Sequence, residues 1–213
     1  MVKNNILLIG AVLGWFAVIT QYILMIDNRI ASVPETTIRF FSFFTILTNL
    51  IVAIYFTVLR LKKTTSLLFR LEKPGVLSAV TLYISIVGLV YQVVLRSIWS
   101  PTGMQKLVDE LLHSIIPLFV IVFWYVYENH KENQWKFIPS WLIYPSLYLV
   151  YILVRGNFSN FYPYPFVNVT QLGLQQVLIN SGVLVLVFIL AAVIFISISR
   201  WISKNPSHSR QFE

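Results

Sequence analysis

The stretch RFFSFFTILTNLIVAIYF, residues 39–56, is apolar enough to cross a bilayer, yet Arg39, Ser42, Thr45, Thr48 and Asn49 crowd its first half. A membrane helix needs about 20 mostly apolar residues. Working outward from 39–56, six such runs can be drawn, at about 5–26, 38–59, 76–98, 107–127, 138–154 and 174–201. The 213 residues are 57% hydrophobic and 11% charged, where a soluble domain carries about 25% charged residues. The expected fold class is therefore all-α. The chain reads as a polytopic membrane protein, a six-transmembrane-helix bundle forming a single integral membrane domain over residues 1–213. No internal repeat is visible, which gives an inverted-repeat transporter no support.

The net charge of +8 sits in short loops between the apolar runs. That is the pattern of a chain oriented by its basic loops, not of a nucleic-acid binder. Lys3, Arg60, Lys62, Lys63, Arg70, Lys73, Lys131, Lys136, Arg200, Lys204 and Arg210 fall on one side, and Arg29, Arg39, Arg96, Lys106 and Arg155 on the other. The richer side is expected to be cytoplasmic, with both termini on it. The most basic loop, RLKKTTSLLFRLEKPG, is placed to meet anionic lipid headgroups or simply to be solvated. The first apolar run is too long for a signal-peptide core, so it is expected to stay in the membrane. With no cysteine in the chain, disulfides, thiolate catalysis and Cys-ligated metals are excluded.

Polar groups inside a bilayer are costly, so the faces they occupy are informative. At 100° per residue, Arg39, Ser42, Thr45 and Asn49 share a face of the second run. Thr81, Ser85, Gly88, Gln92 and Arg96 form a stripe on the third, and Tyr144, Tyr148, Tyr151 and Arg155 one on the fifth. On the fourth, Asp109, His113 and Pro117 are spaced i, i+4, i+8, with Glu110 beside them. On the first, Gln21 shares a face with Gly10 and Gly14, a small-residue pair that lets helices approach closely. The charged members all lie near the outer ends of their runs, so the stripes are expected to converge on a cavity open to the outer side.

Plainer explanations stand beside that one. Ser and Thr in membrane helices often bond back to their own backbone, and Arg at a helix end often reaches out to headgroups. The tyrosine stripe suits packing and interfacial anchoring. His113 is the only histidine within a run, since His130 and His208 lie in a loop and the tail. Asp109, one turn before it, is placed to fix its tautomer and raise its basicity. A metal site at Asp109 and His113 lacks a further histidine, and haem lacks paired axial histidines; no cofactor and no metal are expected. The uncharged segment NFSNFYPYPFVNV, 157–169, has too many helix breakers to be a helix. It reads either as a lid dipping over the outer cavity or as part of an interfacial aromatic belt. Asn157 and Asn168 head glycosylation sequons, which are weak signals.

Three blocks, RFFSFFTILTNL, LLHSIIPLFVIVFW and WLIYPSLYLVYILVRGNFSNFYPYPFVNV, together resemble a bacterial six-span family similar to the androgen-induced and androgen-dependent transmembrane hydrolases of animals. The resemblance implies a bacterial inner-membrane protein. The animal relatives hydrolyse fatty acid esters of hydroxy fatty acids, with a membrane-embedded Thr as nucleophile and a His as its partner. Their Lys-Phe-Leu-Thr-Phe context matches Arg39-Phe40-Phe41-Ser42-Phe43, which implies Ser42 at the nucleophile position; a shifted alignment implies Thr45. Their His precedes a Pro in the same helix, matched by His113 ahead of Pro117 at a spacing one residue shorter.

The chemistry asked of these residues is self-consistent. A hydroxyl is a poor nucleophile until a base takes its proton, and His113 is the candidate base for Ser42 or Thr45. Asn49, Gln92 or Arg96 are candidate donors to an oxyanion. The expected function is hydrolysis of a lipid ester. The alternative is a non-enzymatic binder or transporter of a lipid or amphiphile, in which Arg39, Arg96 and Arg155 hold an anionic head. Asp109 and Tyr151 complete the expected binding residues, and the expected partners are membrane lipids and a lipid-like substrate.

Overall fold

The structure is a computed structural model that describes residues 2–61 and 66–205. Lys62, Lys63, His208 and Arg210, named above, lie outside the described residues. Helices account for nearly all of the rest, and no strand occurs among the described residues. In chain order they are α1 (Val2–Asp27), α2 (Val33–Phe40), α3 (Phe44–Leu61), α4 (Ser66–Leu71), α5 (Val76–Val90), α6 (Gly103–Glu110), α7 (Ile116–Tyr127), α8 (Ile138–Ser159) and α9 (Val169–Lys204). A π-helical turn, Tyr91–Leu95, prolongs α5, and a second, Leu111–Ile115, joins α6 to α7. Six stretches are long and apolar enough to cross a membrane: Val2–Asp27, Phe44–Leu61, Val76–Leu95, Gly103–Tyr127, Trp135–Ser159 and Val169–Lys204. This is the architecture of a multi-pass integral membrane protein.

The second span differs from the expected 38–59. The chain leaves the helix at 41–43 and restarts at Phe44. The N–H groups of Ser42 and Phe43 bond three residues back, to Arg39 and Phe40, and the Ser42 hydroxyl takes the Ile38 carbonyl at 2.7 Å. These tightened bonds end α2. Arg39 therefore belongs to α2, where it pairs with Glu35 at 2.8 Å, and does not share one helical face with Thr45 and Asn49. Ser32 caps α2 through the N–H of Glu35, and Pro34 occupies its first turn, where a missing N–H costs nothing.

Contacts divide the chain after Asn129 into two compact units. In the first, α1, α3, α5 and α7 pack around in sequence and α7 returns to α1. Lipid tails are as apolar as leucine, so helices in a bilayer associate through close packing and internal polar bonds. The glycines of α1 supply the packing. A Cβ at Gly14 would lie 2.9 Å from that of Ala53, and one at Gly10 would lie 2.7 Å from the fully buried ring of Phe56. The polar bonds include Trp15 to Thr57 at 2.9 Å and Gln105 to Gln21 at 2.8 Å. Near one end, Trp124 donates to the Ser78 hydroxyl, which donates to Glu128, each at 2.7 Å. Thr81 and Ser85 bond back to the carbonyls of Leu77 and Thr81, so that part of the third stripe satisfies its own helix.

In the second unit α8 packs against α9. Helix α8 runs past the expected 154 to Ser159 and ends on Asn160, in the left-handed conformation at φ 52°. Its neighbour Gly156 is required by the ring of Tyr162, which occupies the space a Cβ would take. The rest of the 157–169 segment is a short connection containing a 3-10 turn, Pro165–Val167. Asn168 accepts from the N–H of Gln171 to cap α9, and Asn180 donates to the Phe166 carbonyl at 2.9 Å. At Gly173 the backbone turns out of helical geometry, with φ 77° and ψ 156°. The long helix therefore begins in earnest at residue 174, where the sequence placed its start.

Candidate active site

The polar end of the first unit is built on two helical irregularities. Pro117 has no N–H to complete the bond to the His113 carbonyl four residues back. The chain meets this by widening the preceding turn, and the N–H of Ile116 reaches back to Leu111. The third span comes unusually close at the same level. A Cβ on Gly88 would lie 3.1 Å from the His113 carbonyl oxygen and 3.3 Å from Pro117 Cβ. Facing this, the π turn that prolongs α5 sends the Arg96 N–H to the Tyr91 carbonyl at 2.8 Å. Such turns occur mostly as single insertions and are frequent at functional sites.

The widened turn sets the orientation of His113. Its Nδ1 lies 2.9 Å from the main-chain oxygen of Asp109 and 3.3 Å from Asp109 Oδ1. A carbonyl oxygen can only accept, so Nδ1 carries the proton, and a neutral ring in this orientation has its lone pair on Nε2. Asp109 is 5% exposed. Its second carboxylate oxygen receives the hydroxyl of Tyr91. The Tyr91 and His113 rings stack, with centroids 4.2 Å apart. The arrangement is a Tyr–Asp–His network in which Tyr91 and Asp109 are buried, His113 is half-buried, and Nε2 is left outside the bonds to Asp109.

A second network runs beside it. Arg96 donates to Gln92 at 2.8 Å and to Glu110 at 2.6 Å; Gln92 donates to Ser114 at 2.9 Å, and Ser114 to Glu110 at 2.7 Å. The four side chains close a ring between the third and fourth spans. Gln92 and Arg96 thus direct these donors at each other and at Glu110.

Asn49 is fully buried on α3. Its amide nitrogen donates to the Thr45 carbonyl at 2.9 Å and to the Leu112 carbonyl at 3.3 Å, which ties the second span to the residue before His113. Its Oδ1 is buried with no hydrogen-bond partner among the described residues. Leaving such an oxygen unpaired costs about 1–3 kcal/mol, so a donor brought to it would be bound. Ser42 and Thr45 are both buried. The hydrogen bonds of His113 go to Asp109, and none joins it to either hydroxyl among the described residues. Tyr151 and Arg155 belong to the second unit. There Arg155 lies 5.0 Å over the ring of Phe161 and reaches that residue's carbonyl at 3.4 Å.

Tyr91 and Ser114 were not among the residues singled out from the sequence. On a straight helix Tyr91 lies 100° off the stripe that holds Gln92, and the π turn brings both into use. The signal available was Pro117, four residues after a histidine in an apolar helix. Among the described residues no three His, Cys, Asp or Glu side chains come together to hold a metal.

Fold and site define a multi-pass membrane protein in which a half-buried histidine is held against a buried carboxylate at one end of a four-span unit. No family model matches the chain, and none of the curated proteins or solved structures compared with it does so either.

Proposed function

We propose that the chain is an intramembrane hydrolase of fatty-acyl esters, using His113 as base and a hydroxyl of the second span as nucleophile. The observation that carries this reading is the Nδ1–H contact of His113 with Asp109, which leaves Nε2 basic. Asp109 holds the ring and stabilises the imidazolium that forms. In the proposed reaction Nε2 takes the hydroxyl proton as the oxygen attacks the ester carbonyl. The same proton passes to the departing alcohol, leaving an acyl-enzyme. Water, deprotonated by Nε2, then releases the fatty acid and restores the hydroxyl.

The resemblance aligns Ser42 with the nucleophile. Geometry favours Thr45, because Asn49 links the Thr45 turn to Leu112, the neighbour of His113. The reading is completed by a bacterial inner-membrane location, both termini in the cytoplasm and the site facing the outer leaflet, as the basic loops imply. The lipid-binder alternative rests on Arg39, Arg96 and Arg155, of which Arg39 and Arg96 already pair with glutamates, Glu35 and Glu110.

Fluorophosphonate labelling of the purified protein tests the proposal. Wild type is expected to label, with labelling lost in His113→Ala and in one of Thr45→Ala or Ser42→Ala. A folded wild type that neither labels nor releases fatty acid from a hydroxy fatty acid ester sinks the reading.

A further inference from the structure

The second unit contains an open-sided cleft of about 530 Å³ that the hydrolase reading does not use. Lys131, Lys136, Arg200 and Lys204 line it, together with Gln134 and Trp135, and among the described residues no carboxylate does. Glu132, on the same turn as Lys131, is not part of the lining. Among the described residues none of the four cations has an ion-pair partner. Arg200 lies 5.8 Å over the ring of Trp135, and Lys136 5.7 Å from that of Phe137.

The platform beneath is fixed. His130 and Asn133, both buried, meet the fully buried Ser199 hydroxyl of α9 at 3.1 and 2.9 Å. The loop is therefore pinned to the helix that carries Arg200 and Lys204. The carbonyls at the C-terminus of α9 oppose an anion, and the four cations outweigh them. The cleft also lies where two spans end: Trp135 opens one apolar stretch and Lys204 closes another. That is headgroup depth, where Trp, Lys and Arg gather.

We propose that this cleft binds the phosphate of an anionic phospholipid, its acyl chains lying along the apolar surfaces of α8 and α9. Cations near a membrane surface are each worth about fivefold in binding anionic lipid. The test is native mass spectrometry of the full chain released from micelles doped with phosphatidic acid or phosphatidylcholine. Wild type is expected to retain phosphatidic acid preferentially. Arg200→Gln with Lys204→Gln should weaken retention by about twenty-five-fold, as should Lys131→Gln with Lys136→Gln. Arg29→Gln with Lys106→Gln removes the same charge from exposed positions of the first unit and should leave retention unchanged. Circular dichroism checks that each variant is folded. Equal loss in all three pairs would overturn the site in favour of diffuse attraction. No preference over phosphatidylcholine would overturn it outright. Displacement of phosphatidic acid by equimolar inorganic phosphate would overturn the lipid as ligand and leave a site for the free anion.

Discussion

The ring of Tyr91 lies flat on that of His113, 13° from parallel, while its hydroxyl bonds the carboxylate that steadies the same histidine. One residue thus fixes the imidazole twice, by a face and through a partner. Tyr91→Phe separates the two effects, since it keeps the stack and removes the hydroxyl. A hydrogen bond to a charged group is worth about 1.5–3 kcal/mol, so the melting temperature in detergent should fall. Labelling should slow by about tenfold as Asp109 loses a donor. Unchanged labelling would show that Asp109 does not need Tyr91 for function.

Asp109→Asn keeps the shape and removes the charge. Without the carboxylate the imidazolium loses its stabilisation, and an amide nitrogen can turn the wrong tautomer toward it. Labelling is expected to fall by about 10²–10⁴-fold with the fold retained. A loss of less than about threefold would place the base elsewhere.

Pro117→Ala restores the N–H that the helix lacks. The turn at Leu111–Ile115 can then close to an ordinary one, rotating His113 by about 100° relative to the residues after it. Stability should hold or rise, since an interior proline costs about 3 kcal/mol against alanine. Labelling should be lost. A variant that is both stable and fully active would show that the widened turn has no part in the chemistry.

Gly88→Leu fills the space where the third span meets the His113 carbonyl and Pro117. Overpacking of this kind costs about 1–3 kcal/mol. Unfolding midpoints in mild detergent should drop more for Gly88→Leu than for Gly88→Ala. Gly14→Leu, against Ala53, should destabilise similarly while sparing the His113 site.

Much of this was legible in the sequence. Six apolar runs became six helices because length and hydropathy decide spans almost alone. The start at residue 174 was legible because Gly173 is the residue that can leave the helix at φ 77°. The break at 41–43 was not, since Phe41, Ser42 and Phe43 include neither Gly nor Pro. It forms through main-chain bonds and one serine hydroxyl, which carry no compositional mark. The pairing of Asp109 with His113 followed from i, i+4 spacing. Tyr91 did not, because it lies 100° from Gln92 and so off the polar stripe of its span. The cleft around Lys131 and Arg200 joins residues almost 70 positions apart, a distance that periodicity within one helix cannot bridge.

The closed ring of Arg96, Gln92, Ser114 and Glu110 has a mechanical consequence. Two apolar helices in lipid can slide along one another at little cost, because every level of the surface resembles the next. A slip of one turn, about 5.4 Å, would carry Arg96 away from Glu110 and break the hydrogen bonds that close the ring. The ring therefore works as a key between the third and fourth spans. It sets the height at which Tyr91 meets His113, although none of its four side chains bonds to the histidine.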